Sequence, residues 1–92
     1  MDTRTIVAEN GEILGEVTGD RRARSGEIRA LLRRSGAWEA ADGNVTVYYL
    51  DYEDEGRDHP FLVAFTMGPG GAEGRCDPGD APEAVRIALG CG

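Results

Sequence analysis

Lysine is missing from this chain: all ten basic residues are arginine. Histidine and tryptophan occur once each, and cysteine twice. One histidine and two cysteines fall short of a tetrahedral zinc site unless a carboxylate such as Asp77 joins them. The lone His59 abuts Pro60, and no Gly-x-Ser-x-Gly elbow surrounds a serine, so the parts of a hydrolytic triad are not gathered in any motif. Long apolar runs are also missing. The longest mostly apolar stretch, Phe61 to Met67, is far shorter than the roughly 20 residues that a spanning helix needs. The first residues, Met1-Asp2-Thr3-Arg4-Thr5, lack the pattern of a signal peptide. A cytoplasmic location is therefore expected, with Cys76 and Cys91 as free thiols. A Cys76–Cys91 disulfide, pinning the chain end to the preceding loop, is the alternative.

Acidic residues and glycine are plentiful. The chain has 92 residues, 17 of them acidic, and a formal net charge of −7. That balance opposes nonspecific binding to nucleic acid or an anionic membrane and suits a basic protein partner. Fourteen glycines point to many turns. At 40% hydrophobic residues the composition is globular, and residues 1–92 read as a single α+β domain.

The elements read as β-β-α-β-β-α. Residues 3–9 and 12–18 flank Asn10-Gly11, which suits a two-residue hairpin turn. That register pairs Ala8 with Ile13, Ile6 with Gly15 and Arg4 with Val17 on the face expected to meet the core. Val7 with Leu14 and Thr5 with Glu16 fall on the other face. A helix follows, with Ile28, Leu31, Leu32 and Ser35 on one side. Ser25 is its expected cap, with Asp20 as an earlier start, Glu27 in the first turn and Gly36 as the stop. Residues 44–52 and 60–67 form a second antiparallel hairpin, whose core side is expected to carry Val45, Val47, Tyr49, Phe61, Val63 and Phe65. A Gly/Pro-rich connection over residues 68–79 leads to a last helix, capped by Asp80 with Glu83 completing a capping box. The simplest assembly is a mostly antiparallel four-stranded sheet with two helices packed on one face.

The candidate motifs are weak individually. The run from Asp51 to Gly56 places carboxylates at the first, third and fifth positions of a calcium loop, but Leu62 stands where the bidentate glutamate belongs. The glycines at 68, 70, 71 and 74 follow a strand as a phosphate loop would, without the Gly-Lys-Ser/Thr that completes one. No metal or other cofactor is implied. Charge, by contrast, is segregated. Residues 20–36 carry six arginines against Asp20 and Glu27, a local net of +4, whereas residues 37–60 carry seven acids against Arg57, a local net of −6.

With both helices on one face, Tyr48, Leu50, Tyr52 and Leu62 lie on an uncovered sheet face, which Val7 and Leu14 extend; with one helix on each face, the same residues are core. Tyrosine buries ring area while keeping its hydroxyl bonded, so such a face rimmed by carboxylates suits protein binding. The expectation is a non-enzymatic protein-interaction module, of the inhibitor, immunity or regulatory kind. It would engage a basic partner, or a second copy as a homodimer, through Tyr48, Leu50, Tyr52, Glu53, Asp54, Glu55 and Leu62. Two other classes stay open: a nucleic-acid-linked regulator using Arg29, Arg33 and Arg34, and a small thiol enzyme centred on Cys76.

Overall fold

The computed structural model describes residues 3–18, 21–40, 45–51, 61–67 and 72–90. Strands β1 (Thr3–Ala8) and β2 (Ile13–Thr18) form the first hairpin. Its turn is one residue longer than Asn-Gly suggests. The Ala8 N–H donates to the Glu12 carbonyl at 2.9 Å, and the Gly11 N–H donates to the Ala8 carbonyl at 2.9 Å. Asn10 accepts from the Glu12 N–H through its side chain at 2.9 Å. Gly11, at φ 89°, takes the left-handed position that closes such a three-residue loop. The extra residue shifts the register. Arg4 still faces Val17 and Ile6 still faces Gly15, but Val7 meets Ile13, leaving Leu14 in a bulge. Leu14 thereby packs with Ile6 and Val17 rather than on Val7's side.

Helix α1 (Arg21–Ser35) takes the earlier of the two expected starts, and a one-turn α2 (Ala37–Ala40) follows Gly36. Glu27 therefore lies beyond the first turn, and its carboxylate accepts from the Thr18 N–H at 2.9 Å, tying the helix to the end of β2. Strands β3 (Val45–Asp51) and β4 (Phe61–Met67) pair antiparallel from Val45↔Met67 to Asp51↔Phe61. Beyond them, β5 (Ala72–Arg75) pairs with β4, within what reads in sequence as a plain connection. Its residues, Ala-Glu-Gly-Arg, carry no β-branched or aromatic side chain, so propensity gives no sign of a strand that backbone pairing alone secures. A 3-10 turn (Pro78–Asp80) precedes α3 (Glu83–Leu89). Asp80 lies in that turn, and Pro82 occupies the cap position with no side-chain cap bond.

The sheet is therefore five-stranded and antiparallel, in the order β2-β1-β3-β4-β5. The helices do not share a face. Helix α1 buries Ile28, Leu31 and Leu32 against Ile6, Val17, Val47, Tyr49, Val63 and Phe65. Helix α3 buries Val85 against Val7, Tyr48 and Leu62 on the opposite side. The reason lies in β3 and β4, which are apolar at successive rather than alternate positions, so both of their faces need cover. Each aliphatic side chain taken fully out of water there stabilises the fold by about 1.5–3 kcal/mol. Gly15 marks the closest approach of α1 to the hairpin: a Cβ at this position would stand 2.8 Å from Leu31 Cδ1. Among the described residues, no helix is long and apolar enough to cross a membrane.

Candidate functional site

Helix α3 removes much of the surface expected to be open. Tyr48 is 9% exposed and Leu62 2%, both inside the α3-side core, with Leu50 half-buried against them. Burial pushes the Tyr48 hydroxyl's pKa above its usual value, and nearby Glu9 and Cys76 add to the shift. Tyr52, Glu53, Asp54, Glu55 and His59 lie outside the described residues, as does Cys91. Cys76 is half-buried beside the same core, its thiol directed at the Asp77 carbonyl at 3.5 Å.

The arginines divide. Arg33 and Arg34 are exposed on α1 and Arg29 is half-buried, but Arg24 turns inward and is fully buried. It enters a cluster under α1 that motif reading overlooks: Arg4, Arg24, Tyr49, Asp51 and Glu73. Arg4 is 1% exposed and donates to Asp51 Oδ1 at 2.9 Å; Arg24 reaches Asp51 Oδ2 at 3.5 Å. Arg24 also donates to Glu73 Oε1 at 3.1 Å and, through Nε, to the Tyr49 hydroxyl at 3.0 Å. The Tyr49 hydroxyl donates to Glu73, and the Arg24 guanidinium lies 5.2 Å from the centre of the Tyr49 ring. Burial drives the Tyr49 hydroxyl's pKa well upward; Glu73 raises it further, and Arg24 opposes.

This cluster joins β1, β3 and β5 to α1. Two cations are matched by two anions, which is how charge is tolerated at this depth. A signal for it exists in strand parity. The β1–β3 register of Val7↔Tyr48, continued along the strands, puts Arg4 across from Asp51. Asp51 shares its face with Tyr49 by simple alternation. Among the described residues, no group of three or more His, Cys, Asp or Glu side chains is placed to hold a metal.

The outer surface of α3 has a different character. Ile13 at 59% and Ile87 at 74% are the large apolar side chains left exposed among the described residues. A cleft of about 250 Å³ separates β1 and β2 from the end of α3, lined by Thr3, Arg4, Thr5, Ile13, Leu50, Ala88 and Leu89. The hairpin tip rests on the helix, since a Cβ on Gly11 would stand 3.0 Å from Ala84 Cβ. Around this surface Glu9, Glu12, Asp77, Asp80 and Glu83 are exposed, with Arg86 half-buried among them. Among the described residues, Arg33 and Arg34 are thus exposed on α1 and five carboxylates are exposed around α3, with Glu39 of α2 and Arg75 of β5 exposed as well.

No family model matches the chain, and neither a curated protein nor a solved structure matches it.

Proposed function

We propose that this protein is a non-enzymatic interaction module of the inhibitor, immunity or regulatory kind, which binds another protein through the outer surface of α3 and the neighbouring hairpin. The observation that carries this reading is the exposure of Ile13, which lines a cleft with Leu50, Ala88 and Leu89, and of Ile87, which lines a second cleft on α3 with Glu83, Arg86 and Gly90. Exposed isoleucines that border a groove and are rimmed by polar groups are a mark of an association surface. Leu50 lines the first cleft and belongs to the binding surface in this reading. Tyr48 and Leu62 act beneath the surface, holding α3 in place.

A photocrosslinking residue at position 13 or 87, introduced in the native host, tests the reading. Positions 33 and 34, on the opposite face, serve as controls. The expected result is one crosslinked protein from the α3 side that binds the purified chain and is lost in the Ile13→Ser, Ile87→Ser double variant. Crosslinks from 33 and 34 alone would transfer the interaction to the arginine helix.

A further inference from the structure

We infer that the α3 surface docks a basic amphipathic segment of its partner; the inference rests on the interaction-module reading and names the partner's chemistry. The apolar groups stand at two neighbouring clefts. Ile13, Ala88 and Leu89 line one, and Ile87, next to Ala88 on the outside of the helix, lines the other with Glu83, Arg86 and Gly90. A partner must therefore bring apolar side chains that can enter the first cleft and cover Ile87.

The charged part selects what flanks them. Glu9 and Glu12 stand on the hairpin side, and Asp80 and Glu83 on the side where α3 begins, all exposed, against the one half-buried cation Arg86 described between them. Arginines beside an apolar stripe find carboxylates in both directions, whereas an acidic segment meets repulsion from both. Nucleic acid and anionic lipid are repelled for the same reason.

A second copy of this chain fits less well. Among the described residues its exposed arginines are Arg75, on β5, which carries no large apolar side chain, and Arg33 and Arg34 on α1, whose Ile28, Leu31 and Leu32 are committed to the core. Both places bring charge without the apolar stripe. The surface therefore calls for a different chain, with a helical segment apolar on one side and arginine- or lysine-rich on its flanks.

Fluorescence anisotropy with two labelled synthetic peptides tests this. One peptide carries leucines at i, i+3, i+4 and i+7 among arginines; the other has the same composition in scrambled order. The patterned peptide is expected to bind at least about tenfold tighter, the weight of one well-buried aliphatic side chain. The Ile13→Ser, Ile87→Ser variant should lose that advantage while keeping its circular dichroism and unfolding midpoint. Glu12→Gln with Glu83→Gln should weaken binding at low salt and flatten its salt dependence. Arg33→Gln with Arg34→Gln should leave binding intact. Equal affinity for the two peptides, or indifference to the isoleucine changes, overturns the inference. Host crosslinks from positions 13 and 87 to an acidic or uncharged segment, or to a second copy, also overturn it while leaving the interaction-module reading in place. Loss of every crosslink removes that reading and the inference together.

Discussion

At the scale of single residues, the Arg4–Asp51–Arg24 arrangement is the most consequential. Asp51 is 2% exposed and lies within reach of two buried guanidinium groups. Replacing it with alanine leaves those cations without its charge, and removing one partner from a buried ion pair costs about 3–5 kcal/mol. Urea unfolding of Asp51→Ala should show a loss of that order, a large part of the stability of a domain this size. Tyr49 lends itself to a pH test. Its hydroxyl pKa is raised on folding above the ordinary value of 10.0, so the folded chain holds that proton more firmly than the unfolded one. The resulting stabilisation is fully present below about pH 10 and is lost as pH rises from there toward the folded-state value. Wild type should therefore lose stability more steeply above about pH 10 than Tyr49→Phe does, as read from denaturant midpoints across that range.

Among the elements, the meeting of hairpin and α1 is governed by a missing side chain. Gly15 has φ 154° and abuts Leu31, so Gly15→Ala inserts a methyl group where none fits. A cost of about 1–3 kcal/mol is expected, seen as a lowered unfolding midpoint. Gly26 offers the opposite case in the same helix. A Cβ there meets nothing within 4 Å, so Gly26→Ala should stabilise α1 by about 0.5–1 kcal/mol in the same assay. The two substitutions separate local crowding from helix propensity. Much at this scale is legible in sequence: the first hairpin, α1, the β3–β4 hairpin and α3 are all signalled by turn residues and periodicity. The bulge at Leu14 is not, because Asn10-Gly11 is compatible with loops of two lengths, and only the hydrogen bonds of Ala8 select the longer one. Nor is β5, whose side chains carry no strand preference and whose pairing partner is already complete on its other side.

For the molecule as a whole, the division of charge across the sheet matters more than the net charge. Arg33 and Arg34 are exposed on α1, away from the clustered carboxylates around α3. Exposed charges at this distance from partners contribute little to stability. Arg33→Gln with Arg34→Gln should therefore shift unfolding by no more than about 0.5 kcal/mol. The isoleucine substitutions at 13 and 87 should be equally mild for the fold while severe for association, which distinguishes a binding surface from a core. Tyr48→Ser belongs to the other category: its ring lies inside the α3-side core, so its loss should destabilise the chain before it affects any partner.

Composition and local pattern by themselves determined the α+β class, the antiparallel hairpins and which residues of β3 and β4 share a face. Those properties depend on residues close together in sequence, through alternation, helical spacing and turn chemistry. The side of the sheet on which α3 lies was decided only in three dimensions, because β3 and β4 are apolar on both faces and either would accept a helix. The same holds for the buried charges. Whether an arginine such as Arg24 is solvated or buried depends on Asp51 and Glu73 arriving from distant strands, and no local pattern carries that information. The proposed binding surface follows from the first of these: once α3 covers Tyr48 and Leu62, the large apolar side chains left exposed among the described residues are Ile13 and Ile87.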